Sequence, residues 1–312
     1  MALPASGQLS ISDIATEFDD TQPNSMSEFY RGGALVPNSS GNSAVPTSGA
    51  IAISNFYNAA NRSQMAFTIA VDTQDYDLFT EVNASPAYAA GTSDITLTIN
   101  ATVGGTSTYA LTVSNAFTAG DTISIINNGT VIGKGGAGGA GGNGAENLVK
   151  TPGSPGLAGL NALQVAYPTT ITNNGILAGG GGGSGGGGGA SGGGSFRTGA
   201  AGGGGGGGGA GYTAGSGGAG GSGVFQSNTF NGSPGVTGSI TAGGAGGAGG
   251  NSFGQTIGGN GGVGAGPGAN GNIGTNGSPG ASGGAGGDRG FYLVGTDYVT
   301  FAVTGTRLGS VS

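Results

Sequence analysis

Gly179-Gly180-Gly181-Gly182-Gly183-Ser184-Gly185-Gly186-Gly187-Gly188-Gly189, followed closely by Gly202–Gly209, limits what this chain can fold into. Neither run suits a helix or a strand, because an interior Gly costs about 0.5–1 kcal/mol relative to Ala in either. Around them Gly returns every third residue: Gly135, Gly138, Gly141 and Gly144; Gly153, Gly156 and Gly159; Gly243, Gly246 and Gly249; and the longest frame, from Gly268 through Gly286. Three residues per turn is the polyproline II period, in which every third residue lines one edge of the backbone. A side chain on that edge would keep neighbouring backbones apart, and Gly lets them meet. Collagen shares the period, but it needs a continuous frame and much Pro. Here the frame breaks repeatedly and the 312-residue chain has only 11 Pro.

The period therefore predicts a bundle of polyglycine II helices within one chain, over 133–290. The full-Gly runs are its interior and the one-in-three runs its rim. Ordering costs about 1–2 kcal/mol per residue against about 1 kcal/mol net per hydrogen bond, so such a bundle needs near-complete backbone pairing. The other reading of so much Gly is a disordered linker. The regular frame and the apolar and aromatic inserts count against it. The frame from Gly268 to Gly286, read as one helix, predicts an elongated body.

Composition bounds the chemistry. The chain has 80 Gly, no Cys, no His, no Trp and 7% charged residues. Without imidazole or thiolate, Ser-His-Asp, Cys-His and the common zinc chemistries are excluded, and neither an enzyme nor a cofactor or metal is expected. Seven basic against 14 acidic residues give a net charge of −7, which argues against nucleic acid or an anionic membrane as partner. Asp72, Asp75, Asp77 and Glu81 invite an acid pair or a cation site, but strand-end carboxylates are usually solvated.

The glycine content marks boundaries. Residues 1–132 hold 10 Gly, 133–290 hold 67 and 291–312 hold 3. Residues 63–132 contain short Thr-, Val- and Ile-rich runs, among them Asp94-Ile-Thr-Leu-Thr-Ile-Asn100, which alternate as half-buried strands do. They predict a small β-sandwich, with a C-terminal β-hairpin in 291–312 closing the body. Ile125-Ile-Asn-Asn-Gly-Thr-Val-Ile-Gly133 and Ile171-Thr-Asn-Asn-Gly-Ile-Leu-Ala-Gly179 resemble each other and read as parallel rungs, each leading into a Gly block. Leu157, Leu160, Leu163, Val165 and Tyr167 would supply their apolar core. The fold class expected is mostly β plus a polyglycine II bundle.

Residues 1–62 carry an internal repeat. Leu3-Pro-Ala-Ser-Gly-Gln-Leu-Ser-Ile-Ser-Asp-Ile14 aligns with Val45-Pro-Thr-Ser-Gly-Ala-Ile-Ala-Ile-Ser-Asn-Phe56, with a partial copy at Ser25-Met-Ser-Glu-Phe-Tyr30. Ser10-x-x-Asp13 and Ser25-x-x-Glu28 are capping boxes. Helices this short need a partner surface, so Ile11, Ile14, Phe18, Phe29, Tyr30, Phe56 and Tyr57 are expected as an exposed docking set. A homotrimer, or several copies around a symmetric hub, follows from that expectation.

Non-Gly inserts in the body, as turns between rigid helices, would gather at its ends. Scaffold-borne aromatic and polar loops commonly make binding surfaces. The candidate binding residues are Phe196, Arg197, Tyr212, Phe225, Gln226, Phe230, Phe253 and Gln255. Phe225, Phe230 and Phe253 could equally plug the bundle ends.

The repeat, together with Ser27-Glu-Phe-Tyr-Arg-Gly-Gly33, resembles the N-terminal module of many tailed-bacteriophage structural proteins, over residues 3–61. Residues 120–312 resemble Gly-rich phage tail and fibre proteins and the tail-fibre-tip adhesins of T-even-like phages. The resemblance implies a protein of the virion tail or fibre. Its N-terminus would dock to other tail or baseplate proteins, and its polyglycine II loops would contact a host receptor, either an outer-membrane protein or a polysaccharide. The alternative is a purely structural collar, tail-tip or decoration protein without receptor affinity.

Overall fold

The structure, a computed structural model, describes residues 3–21, 23–192 and 199–312. Its strands stack in register, like on like. Ser63–Ile69, Ser93–Ile99, Thr122–Asn127, Thr169–Asn173 and Val299–Val303 form one face. Thr73–Gln74, Thr102–Gly104, Thr130–Ile132, Ile176–Ala178 and Thr306–Leu308 form a second. Tyr76–Asp77, Leu111–Val113, Leu163–Val165 and Leu293–Val294 form a third. Every neighbouring pair on these faces is parallel. The chain visits the faces in turn, so these strands are the rungs of a three-sided parallel solenoid rather than a sandwich. Val299–Val303 and Thr306–Leu308 are not a hairpin, because each pairs on a different face with the rung before it.

In-register stacking turns alternation into columns. Met65, Ile95, Ile123 and Phe67, Leu97, Ile125, Ile171 point inward at matched positions, and Ile95, Leu97, Ile125 and Ile171 are at most 1% exposed. The run Tyr76–Val82 divides into a short strand, Tyr76–Asp77, and the start of a helix. Asp77 caps a helix, Leu78–Asn83, by accepting from the Thr80 amide at 3.0 Å, which sends Leu78 and Val82, four residues apart, into the core. At the corner between the first two faces, Asn127 donates to Asn173 (2.8 Å), and outside them Asn174 donates to Asn128 and Asn128 to Asn100 (2.9 Å each). The two Asn-Asn-Gly corners are thus stacked turns of one solenoid, as their sequences imply. Leu163 and Val165 enter the core, Tyr167 packs against it, Leu160 is half-buried, and Leu157 is exposed on the glycine body instead.

That body is inserted between the second and third faces. From Gly133 the chain runs out over 133–144 and back over 151–160 to Leu163. From Gly179 it runs out and back four times (179–190 and 201–210, 215–223 and 230–239, 242–250 and 257–265, 269–277 and 280–290) before returning at Leu293. Hydrogen bonds between these segments advance by three residues. The amides of Gly136, Gly139 and Gly142 donate to the carbonyls of Gly181, Ser184 and Gly187 at 2.8–2.9 Å. Those of Gly138 and Gly141 donate to Ser216 and Ala219 at 2.9 and 2.8 Å.

Segment 179–190 bonds to six others: 133–144, 151–160, 201–210, 257–265, 269–277 and 280–290. Segment 201–210 likewise bonds to 133–144, 179–190, 215–223, 230–239, 242–250 and 257–265. Both are buried throughout. The frame from Gly268 to Gly286 is not one long helix: the chain reverses at Ser278-Pro279, and the Gly271 and Gly274 amides donate back to Gly287 and Gly284 at 2.9 Å.

Residues 3–62 form a small module with its own core. Each repeat copy builds the same capped turn. The backbone amides of Ser10, Ser25 and Ala52 donate to the side chains of Asp13, Glu28 and Asn55 at 2.8, 2.9 and 2.8 Å. The next residue in each copy, Ile14, Phe29 or Phe56, is fully buried. The rings of Phe18, Phe29 and Phe56 meet with centroids 6.1–6.3 Å apart. The expected exposed docking set is therefore corrected. Ile14, Phe18, Phe29 and Phe56 are core residues, because the three copies bury their apolar positions against one another. Ile11, Tyr30 and Tyr57 are half-buried around them, with the Tyr57 hydroxyl donating to Gly7 O at 2.6 Å and that of Tyr30 to Gly49 O.

Candidate functional site

Because every excursion leaves from and returns to the solenoid, the outer turns of the body fall together at its far end. Among the described residues they include 145–150, 224–229, 251–256 and Ser278-Pro279, which cross-link near the segment ends. Gly144–Ala145 pairs with Gly223–Phe225, which forms a hairpin with Asn228–Thr229. Asn251–Ser252 forms a second hairpin with Thr256–Ile257. The Gln226 amide donates to Glu146, and the Ser191 hydroxyl to Ala145 O, tying adjacent turns.

Two of these hairpin turns carry two consecutive residues at positive φ: Asn147-Leu148 (60° and 68°) and Gln226-Ser227 (45° and 65°). That geometry matches the right-handed twist of the flanking strands and normally selects Asn-Gly. Placing Leu there costs roughly 1–2 kcal/mol. Phe253 also has positive φ, at 53°. Strain of this kind concentrates at functional sites.

The same end exposes apolar surface. Leu148, Val149, Val224, Phe253 and Ile257 are 42–64% exposed. Phe253 sits between Phe225 and Phe230, with centroids 6.4 and 5.1 Å away. The rings meet edge-on, so Phe225, Phe230 and Phe253 form one cluster. Gln226 and Gln255 lie in the two hairpin turns beside it. Leu148, Val149 and Val224 were not among the candidate binding residues, although they lie in the same non-Gly inserts. The signal was there, as apolar residues breaking a Gly frame.

Tyr212 is elsewhere. It lies at the solenoid end of the body, half-buried, its ring so close over Gly104 that a Cβ there would sit 1.8 Å from Tyr212 Cγ. Phe196 and Arg197 lie outside the described residues. Three of the four solenoid carboxylates singled out above have structural partners: Asp72 accepts from the Thr102 amide, Asp75 from Thr106 and Ser107, and Asp77 caps its helix. Among the described residues no cluster of Asp and Glu could hold a metal ion.

A comparison with curated proteins finds no match to the chain. Among solved structures it is similar to the crystal structure of the gp37-gp38 adhesin tip complex of the bacteriophage S16 long tail fiber, at 21% identity over 99% of this chain and 100% of that one, with a TM-score of 0.41. The family model of the phage tail fibre adhesin Gp38 matches residues 64–312, which take in the whole solenoid and the whole glycine body. The chain belongs to the Gp38 family of phage tail fibre adhesins, proteins of the virion tail fibre.

Proposed function

We propose that the far end of the glycine body is the surface with which this adhesin binds its host receptor, and that residues 1–62 attach it to another protein of the fibre. The observation that carries this reading is the convergence of strained, apolar turns on one end of the body, the end remote from the solenoid and the N-terminal module. A bundle of polyglycine II helices is the scaffold in this account. The three-residue advance of the hydrogen bonds and the burial of both Gly runs support it. Rigid backbones of this kind hold short loops in fixed positions, so little loop entropy is lost on binding.

Attachment through residues 1–62 does not need the apolar patch first expected there. With the phenylalanines buried, a homotrimer through that patch has no support, and the polar outer face of the capped turns is the surface left for contact.

Competition tests the reading. Purified chain added to host cells should lower phage adsorption, and a Phe253→Ser/Leu148→Ser variant with unchanged melting should not. A wild-type chain that binds saturably to adhesin-free virions and never to cells would point instead to a structural virion component.

A further inference from the structure

The solenoid ends differently at its two extremities. At the first rung, the inward residues Met65 and Ile69 are 6% exposed, and the turn Ser40–Asn42 of the N-terminal module packs against that strand. The last rung, Val299–Val303 with Thr306–Leu308, is terminal on both its faces, and no described element pairs with its outer edge. Tyr298, Val303, Leu308 and Val311 around it are 36–46% exposed. Such an edge, apolar and unpaired, is a template for another strand.

One residue breaks its character. On the second face Val103, Val131 and Leu177 form an inward column, each at most 1% exposed, and the residue in register after Leu177 is Arg307. Its guanidinium lies over the rings of Phe301 and Tyr292, 5.2 and 5.7 Å from their centroids, across the open end of the core. On the first face the register slips between Ile171 and Thr172, so that Thr172 faces Val303 and Ala302 is bulged out of the pairing. An inward-pointing charge and a bulge are two recognised means of protecting a sheet edge.

We infer that Arg307 is a gatekeeper, which prevents the last rung from pairing with the last rung of a second copy of this chain. A second copy is the partner excluded, since two identical rungs related by a two-fold axis would pair antiparallel and bury the same apolar column. With Arg307 present, that approach opposes two guanidinium groups and displaces each from its aromatic rings.

Sedimentation velocity of the full chain over a wide concentration range provides the test. Arg307→Leu should raise the weight-average mass toward about twice the wild-type value as concentration increases, and Arg307→Lys should behave as wild type. Arg307→Gln, which keeps length and loses charge, should also associate and covers the case in which the Leu variant misfolds. Adding Thr300→Lys on the same exposed edge should return Arg307→Leu to the wild-type mass. If the Leu and Gln variants sediment as wild type, or if Thr300→Lys fails to reverse their association, the gatekeeper role is wrong.

Discussion

At the scale of single residues, the molecule separates positions that must be glycine from positions where glycine would be the easier choice. Gly205 is of the first kind: a Cβ there would sit 2.0 Å from the Gly218 carbonyl oxygen, with backbone rather than a movable side chain in the way. Gly205→Ala should therefore destabilise the chain by about 3 kcal/mol or more, the top of the usual overpacking range. Val236→Ala on the rim, where Val236 is 55% exposed, should stay within about 0.5 kcal/mol. Denaturant melts of the two variants compare them directly. Leu148 is of the second kind. Leu148→Gly relieves the cost of positive φ, so its melting temperature should hold or rise. Host adsorption should nevertheless fall, because the apolar side chain is removed from the proposed binding surface. Lower stability together with full adsorption would mean that Leu148 serves the fold alone. The interior also holds residues that composition alone would rank as tolerant. Ser184 and Ser191 are fully buried, with hydroxyls donating to Gly262 O and Ala145 O.

At the scale of elements, the solenoid is tied to pH through Asp94. Burial pushes its carboxyl up, but hydrogen bonds from Thr122, Gln64 and Arg62, the last a 2.6 Å ion pair, outweigh burial and hold it below the ordinary aspartate range. A carboxylate depressed in the folded state stabilises it above the unfolded pKa, and that contribution is lost as pH falls through the folded value. Thermal stability should thus be flat near neutrality and decline below about pH 4, and Asp94→Asn should flatten the decline while lowering stability at neutral pH. An acid profile unchanged by Asp94→Asn would remove Asp94 from the account. These strands were legible as strands because Ile95, Leu97 and Ile99 alternate with Thr96 and Thr98. Their arrangement was not, since alternation of period two is the same in a sandwich and in a solenoid. Parallel pairing is specified by contacts a full turn away, such as Leu97 on Ile125, which local pattern cannot show. The Asn-Asn-Gly corners gave the one clue, because two copies of the same turn suggest stacking. The N-terminal core was missed for a similar reason. Three capped turns that look too short to bury anything alone do so by sharing Phe18, Phe29 and Phe56.

At the scale of the whole molecule, two kinds of solid are joined. The solenoid is held by apolar columns. The body has scarcely any apolar interior, and its order rests on backbone hydrogen bonds between segments that only Gly lets come so close. Tyr212 over Gly104 is one place where they interlock. Three-residue spacing showed where the rim and the interior would fall. It did not show where the chain reverses, because Ser278-Pro279 lies within an unbroken Gly frame. The loops can present a fixed surface only if this glycine lattice is a cooperative structure. Amide hydrogen exchange of the intact chain across Gly179–Gly189 and Gly202–Gly209 measures that directly. Slow exchange, with protection comparable to the solenoid strands Ser93–Ile99 and Thr122–Asn127, is the predicted result. Exchange as fast as in an unfolded peptide would contradict it.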